Sequence, residues 1–556
     1  MATCKQCSAA FEITPEDLKF YDDVSPVIGG VKQAVPPPTL CPDCRFQRRQ
    51  LFRNERFLYH RKSDLTGKQM VSIYSPDKPY IVYDQDEFWG DQWDELAHGR
   101  DFDFSRTFTE QFQELGLVQP HVSLFTTNVE NSYYTNHTLN CRNSYLLFGG
   151  GNDEDCMFSR FLSGCKDTLD ALSLYACQWC YEGIASQDCY RCFFFQNCRN
   201  CSDSIMVEDC IGCKNCLCCF GLQNKEYCVL NAFVGKEMYE QRMKELGMLS
   251  HAKIAALRSQ MEKMKIALPH RSSHIFGSED CTGDMIFNTK NCEYCFDVID
   301  CESCKYLWYT PKGQNSYDCS YTAPAGPQWC YEVGSTMGSN ILFGYLCWGG
   351  DNVLCSRECH SCSNVFGCIS LKRKKYCIFN TQYTQSEYEV LVPKIIAHMR
   401  KTGEWGEYFN PSLSYMGYSE TVAEETAPLS KEEVLKRGWQ WYETQEKKDV
   451  YMRPAVPIPE TIVEVPEDIC EQILTCSVTG HPFKIIPQEL KFYRTMGLPL
   501  PKKCPDQRHK DRMALRNPRK LWSRKCAKCG KGIETTYSAE RPEVVYCEEC
   551  YLKAVY

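Results

Sequence analysis

The stretch Cys189-Tyr-Arg-Cys192-Phe-Phe-Phe-Gln-Asn-Cys198-Arg-Asn-Cys201-Ser-Asp-Ser-Ile-Met-Val-Glu-Asp-Cys210-Ile-Gly-Cys213 decides the fold. Its apolar bursts, Phe193–Phe195 and Ser204–Val207, are three or four residues long and are broken by Asn, Asp, Ser and Gly. Bursts that short suit strands, not helices. The cysteines return at fixed distances. Cys177 and Cys180 recur 21 residues later as Cys198 and Cys201, and Cys189 and Cys192 recur 21 later as Cys210 and Cys213. Cys198 and Cys201 recur 18 later as Cys216 and Cys219. Such periods mean stacked supersecondary units, and they predict a β-solenoid coil of about 20 residues. Neighbouring rungs would then lie about 4.8 Å apart.

A longer repeat contains the short one. Cys198, Cys210, Cys213, Cys219 and Cys228 recur as Cys347, Cys359, Cys362, Cys368 and Cys377, each 149 residues on. Gln178-Trp-Cys-Tyr-Glu182 returns as Gln328-Trp-Cys-Tyr-Glu332, and Lys225-Glu-Tyr-Cys-Val-Leu-Asn231 as Lys374-Lys-Tyr-Cys-Ile-Phe-Asn380. The middle of the chain is therefore an internal duplication. Each copy is followed by a helical pattern. In 236–270 it breaks near Gly247. After the second copy Ser386 can cap a helix whose Tyr388, Leu391, Val392, Ile395, Ile396 and Met399 form one apolar face. Such helices cover exposed end rungs.

The two ends of the chain also repeat each other. Phe11-Glu-Ile-Thr-Pro-Glu-Asp-Leu-Lys-Phe-Tyr21 matches Phe483-Lys-Ile-Ile-Pro-Gln-Glu-Leu-Lys-Phe-Tyr493, and Cys41-Pro-Asp-Cys44-Arg45 matches Cys504-Pro-Asp-Gln507-Arg508. Cys4 and Cys7 with Cys41 and Cys44, and Cys526 and Cys529 with Cys547 and Cys550, are paired C-x-x-C knuckles. Four soft ligands at that spacing are what structural Zn²⁺ takes, so at least two structural zinc ions are expected. The module around Cys476 and Cys504 has Thr479 and Gln507 where the first has Cys7 and Cys44. It is expected to be metal-free, with a Cys2His2 set completed by His481 and His509 as the alternative. The central cysteines are expected to fill a narrow core. Further zinc sites, an iron–sulfur run at Cys210, Cys213, Cys216 and Cys219, and a redox pair at Cys177 and Cys180 stay open as other readings.

A basic segment follows each repeated module. Arg45, Arg49, Arg53 and Arg56 align with Arg508, Arg512, Arg516 and Arg519, and the first three of each set fall on one helix face. With Phe52, Phe57, Tyr59 and Trp522 nearby, they are candidate contacts for nucleic acid, RNA included. Pairing with the acidic, aromatic-rich segment between Asp84 and Glu114, with another part of the fold, or with a protein partner is the alternative.

The chain has 556 residues, 39 Cys and a net charge of −8. The length suggests roughly three to five domains. The acidic balance argues against coating nucleic acid with the whole surface. There is no basic-then-apolar leader and no run of about 18 apolar residues, so neither a signal peptide nor a membrane span is expected. With C-x-x-C spacing dominant, a reducing, cytoplasmic location is expected. Gly149-Gly-Gly151 is not followed by Lys-Ser or Lys-Thr, no H-E-x-x-H occurs, and no catalytic residues are assigned.

The terminal modules resemble the probable zinc-ribbon family of bacteria through Cys4, Cys7, Phe11, Phe20, Tyr21, Cys41, Cys44 and Arg45. Arg541-Pro-Glu-Val-Val-Tyr-Cys547 resembles a second zinc-ribbon group. The resemblance covers about a quarter of the chain and implies zinc, with no activity attached. The expected fold is mainly β with flanking α: a duplicated, Cys-rich, right-handed parallel β-helix-like solenoid between zinc ribbons. The expected boundaries are a ribbon with basic tail (1–62), an acidic connector (63–119), solenoid copies (120–235 and 271–384) around a helical insertion (236–270), a capping helix and linker (385–469), a degenerate ribbon (470–525) and a last ribbon (526–556). The function expected is a non-enzymatic, zinc-stabilised scaffold or binding protein. An enzyme or cysteine redox protein working in a groove, and a pure protein-interaction scaffold, are the alternatives.

Overall fold

The computed structural model describes residues 1–322, 324–443 and 456–555. The fold is mainly β, with twelve α-helices among the described residues and two large parallel sheets. Two compact units share the chain. Residues 1–124 and 274–444 form one, and 125–273 and 445–556 the other. Each unit therefore takes one copy of the internal duplication and one copy of the repeated terminal module. Part of the expected linker, residues 444–455, lies outside the described residues.

In the second unit, ten strands from Tyr145–Phe148 to Ala232–Phe233 make one sheet. Its parallel register is constant: Tyr145 pairs with Met157, Leu169 with Tyr181, Tyr181 with Phe193, Phe193 with Ile205 and Ile205 with Leu217. Every step is twelve residues. This replaces the repeat of about 20 read from the cysteines. The offsets of 21 and 18 are both multiples of three, and three is the underlying unit. Backbone φ is positive at every third residue, as at Trp179, Glu182, Ala185, Asp188, Arg191 and Phe194. That left-handed conformation is costly for most residues and cheapest for Asn, Asp and Gly. Hence the Asn, Asp and Gly between the apolar bursts.

A triplet with one left-handed residue turns one side chain in three inward. Those inward residues include Cys177, Cys180, Cys189, Cys192, Cys198, Cys201, Cys210 and Cys213, all buried in one core cluster. The C-x-x-C spelling here is two successive triplets. Cysteine shares this core with Leu147, Leu162, Leu174, Phe195 and Val207, and inward residues also bring backbone N–H groups that need an acceptor. Ser186 meets this from both sides. Its hydroxyl donates to Ile184 O at 2.8 Å and accepts from Cys198 N at 2.9 Å. Ser159 and Ser204 repeat the arrangement. The thiols donate to the same carbonyl two residues back, at 3.2 Å for Cys198 and 3.4 Å for Cys201.

The first unit carries a thirteen-stranded sheet built the same way, from Ile275–Phe276 to Thr381–Gln382. Its register slips at two bulges, between Cys281 and Gly283 and between Met337 and Gly338. A Cβ on Gly283, where φ is +136°, would sit 1.8 Å from Cys295 O, so only glycine passes there. Both sheets end identically. Glu226–Val229 folds back antiparallel on Ala232–Phe233, and Lys375–Ile378 on Thr381–Gln382. Both turn residues in each hairpin, Leu230-Asn231 and Phe379-Asn380, are left-handed, as a type I′ turn requires. Asn231 then bonds both the N–H and the C=O of Phe220 at 2.8 Å, and Asn380 does the same to Ile369. The side-chain amide stands in for the strand that does not follow.

Helices Lys236–Leu246 and His251–Ile266 meet at Gly247, as the sequence predicts. In the first unit Gln385–Thr402 buries Tyr388, Val392, Ile395, Ile396 and Met399, but its cap is Thr384, bonded reciprocally with Glu387, and not Ser386. The acidic connector forms helices Gln85–Trp89 and Phe108–Val118. Phe88, Phe108 and Phe112 are buried, with Phe112 stacked on Phe409, while Trp89 and Phe104 are exposed.

The hydrogen-bonding account of the core makes a prediction. Ser186→Ala leaves Cys198 N–H buried without an acceptor and is expected to cost about 1–3 kcal/mol. Ser186→Cys keeps a donor and an acceptor and is expected to cost clearly less. Urea denaturation of the three proteins side by side checks the order.

Candidate metal centres and the arginine clamps

In the first module, Cys4 and Cys7 lie in the turn joining Ala2–Thr3 to Ala10–Phe11. Cys41 caps helix Pro42–Gln50 and Cys44 sits in its first turn. In the last module, Cys526 and Cys529 follow strand Trp522–Lys525. Cys547 and Cys550 lie at the start of helix Glu548–Val555. In each quartet all four sulfurs lie within 4.8 Å of one another. Cys7 and Cys41 are 3.7 Å apart, and Cys529 and Cys547 are 3.8 Å apart. A tetrahedron with metal–sulfur bonds of about 2.3 Å has edges of about 3.8 Å. Both quartets therefore fit one ion each. The Cys44 thiol, with neighbouring thiols and an amide, holds Cys41 down at about 5. Against burial, the amides of Cys547, Cys529 and Lys528 hold Cys526 at about 6.

No third quartet forms among the described residues. Thr479 Oγ1 lies 3.9 Å from Cys504 Sγ, His481 is exposed, and His509 is buried within helix Pro505–Leu515. The central cysteines are buried, Cys281 only partly, and make no cluster of three sulfurs mutually within 4.8 Å among the described residues. Burial pushes thiols such as Cys156, Cys319 and Cys368 well up, which favours the protonated, hydrogen-bond-donating form.

The arginines are where the two units show the same design. In the first unit, helix Pro42–Gln50 lies on the sheet with Phe46 stacked on Trp308 at 3.6 Å. Arg45 Nε donates to Asp318 at 2.9 Å, and Arg49 Nη1 donates to Asp318 and Glu332, both at 3.1 Å. Arg48 bridges Glu332 and Glu407. In the second unit, Arg508 reaches Asp170 at 2.5 Å and Glu489 at 3.2 Å, and Arg512 reaches Asp170 at 2.7 Å. Arg53 donates to Ser335 and Arg516 to Ser173. Arg45 and Arg49 are 1% exposed, Arg53 is 4%, Arg508 6% and Arg512 3%. Arg56, Arg516 and Arg519 are half-buried.

Desolvation alone would favour neutral Arg45; the Asp318 charge opposes it, and the guanidinium stays charged. Burial, reinforced by Asp170 and opposed by Arg508, pushes Glu489 up to about 7. For Arg45, Arg49, Arg508 and Arg512 the acidic partners are Asp318, Glu332, Asp170 and Glu489. In the acidic segment between Asp84 and Glu114, Asp84 pairs with Lys68, Glu95 with Lys372 and Lys374, and Glu114 with Arg100 and Arg106. Sequence reading did not single out Asp318, Asp170 or Glu489. Glu332 was visible only as the end of the repeated Gln-Trp-Cys-Tyr-Glu motif. No helix among the described residues is long and apolar enough to cross a membrane.

Asp170→Asn removes the charge shared by Arg508 and Arg512 and is expected to destabilise the second unit by about 3–5 kcal/mol. Asp318→Asn is expected to do the same to the first. Chemical denaturation followed by tryptophan fluorescence measures both. No protein-family model and no curated protein matches this chain.

Proposed function

We propose that the protein is a non-enzymatic, zinc-stabilised scaffold or binding protein. Its two parallel sheets are read as β-solenoids, parallel β-helix-like, with a twelve-residue coil of four triplets. Each solenoid carries a ribbon module locked against one side. Zinc is the ion assigned to both Cys quartets, because four thiolates with edges near 3.8 Å suit a closed tetrahedral site. The unpaired state of all the cysteines supports a reducing, cytoplasmic setting.

The observation that carries this reading is the duplicated clamp. The same helix positions, Arg45 and Arg49 or Arg508 and Arg512, close on one buried aspartate in each unit. In this reading these arginines are internal fastenings, not phosphate contacts, and the ribbons are braces. The binding surface is then an exposed solenoid face. In the second unit one outward row runs Glu130, Arg142, Glu154, Lys166, Gln178, Tyr190, Ser202, Lys214 and Glu226, with Glu154 paired to Arg142 and Lys166. Beside it Asn128, Asn140 and Asn152 bond one another in a ladder. Such a face mixes both signs of charge with polar and aromatic residues, which suits a protein partner better than a polyanion.

Elemental analysis of protein purified without added metal is expected to find two zinc ions per chain. Cys529→Ser is expected to reduce this to one. Iron, or six or more zinc ions, would overturn the assignment.

The clamp separates scaffold from nucleic-acid binder. Arg49→Glu and Arg512→Glu are each expected to cost about 3–5 kcal/mol of stability. Single-stranded RNA is expected not to show steeply salt-dependent binding to the wild-type chain. Variants of normal stability that lose such RNA binding would reverse the reading.

A further inference from the structure

We propose that Cys476 and Cys504, the two cysteines left at ligand positions of the middle module, form a reversible dithiol–disulfide pair in which Cys476 attacks and Cys504 closes the bond. The case starts from the knuckle. In all three modules the first cysteine's N–H bonds the carbonyl five residues on, and its own carbonyl accepts from the residue four on. The pairs are Cys4 with Ala9 and Ser8, Cys476 with His481 and Gly480, and Cys526 with Lys531 and Gly530. The residue four on is left-handed each time: Ser8, Gly480 and Gly530. The middle module has thus kept the turn that elsewhere presents a metal thiolate.

The amides are kept as well. Those of Val478, Thr479 and Cys504 are directed at Cys476, matching those of Lys528, Cys529 and Cys547 at Cys526. What has gone is the other half of the ligand set. Gln507 turns away to bond Asp511 at 2.7 Å, and Thr479 brings a hydroxyl 3.9 Å from Cys504 Sγ. Two sulfurs and a hydroxyl do not make a tetrahedral zinc site. They do make a nest for one thiolate beside a second thiol. Against burial, the Thr479 hydroxyl and the amides hold Cys476 at about 6, while burial pushes Cys504 up. The loop above, Ser477 to Gly480, is exposed, so the cover over the pair is thin.

The chemistry balances with a disulfide oxidant such as oxidised glutathione. The Cys476 thiolate attacks one glutathione sulfur, and the other glutathione leaves as thiolate. That thiolate takes the Cys504 proton. Cys504 then attacks Cys476 Sγ and expels the second glutathione. Two protein thiols are oxidised by two electrons, and one glutathione disulfide is reduced to two thiols.

The test uses the full-length protein with oxidised glutathione, thiol trapping and peptide mass mapping, with zinc measured in parallel. The expected result is a Cys476–Cys504 linked peptide, reversed by dithiothreitol, with zinc unchanged. Cys504→Ser should stop at a glutathione adduct on Cys476, and Cys476→Ser should give neither product. Alkylation of Cys476 should level off above pH 7, where an ordinary thiol's keeps rising. The proposal is overturned if Cys476 reacts no faster than buried Cys201. It is also overturned if the wild-type chain holds a third zinc that Cys476→Ser removes.

Discussion

One constraint organises this molecule: a backbone with a left-handed residue at every third position points N–H groups into a buried core. A buried donor left alone costs more than a typical hydrogen bond contributes. Large apolar side chains such as Leu147, Leu174 and Phe195 share the core but bring no acceptor. Ser, Thr, Cys and Asp bring one. Asp153 shows the principle in an acid: its Oδ1 accepts from Cys165 N at 2.9 Å inside the core. The same role appears in the first unit at Ser356, which accepts from Cys368 N at 3.0 Å and donates to Leu354 O. Cysteine in the sheets thus serves the triplet geometry before it is a statement about metal. Cysteine adds apolar bulk to a weak donor and acceptor, which suits a core without other solvent for the peptide groups.

That distinction explains what was legible in the sequence and what was not. The duplication, the strands, the two metal quartets and the helices after each copy could be read directly, because each rests on local spacing. The twelve-residue register step could not. Cys177, Cys189, Cys201 and Cys213 are successive residues twelve apart, but Cys180, Cys192 and Cys198 fall on other inward rows, and together they suggest offsets of 21 and 18. Every offset is a multiple of three, and the left-handed Asn and Asp residues between them carry the better signal. C-x-x-C itself means two different things here. In the quartets it is a knuckle whose two sulfurs meet a second knuckle. In the sheets it is two neighbouring triplets.

The clamps were only half legible for a related reason. Spacing of i, i+4 and i+8 puts three arginines of each set on one helix face; the helices end at Gln50 and Leu515, so Arg53 and Arg516 lie past them, and nothing local says what the face of Arg45 and Arg49, or Arg508 and Arg512, meets. Asp318 is 273 residues from Arg45, and Asp170 is 338 from Arg508. A basic helix face reads as a phosphate surface until its acidic partner is found. Once found, the burial of five guanidiniums requires that partner: an unpaired buried charge costs far more than a paired one.

The chain path sharpens this into a question of matching. It enters the first unit, leaves at 124, builds the sheet of the second, returns at 274 and ends in the second. The N-terminal ribbon therefore belongs with the later sheet copy, and the middle ribbon with the earlier one. Both ribbons and both sheets descend from duplications, so the shared Arg–Asp clamp cannot tell right partners from wrong ones. The residues that differ can. Asp17, on the first ribbon's helix, pairs with Lys305 of its sheet at 3.1 Å, whereas its counterpart Glu489 turns to Arg508. Glu332 takes Arg48 and Arg49, whereas Glu182, its counterpart in the other copy, pairs with Arg258. A mismatched ribbon would bury a carboxylate or a guanidinium without its partner. The common clamp supplies the attachment, and the divergent charges around it supply the choice of partner.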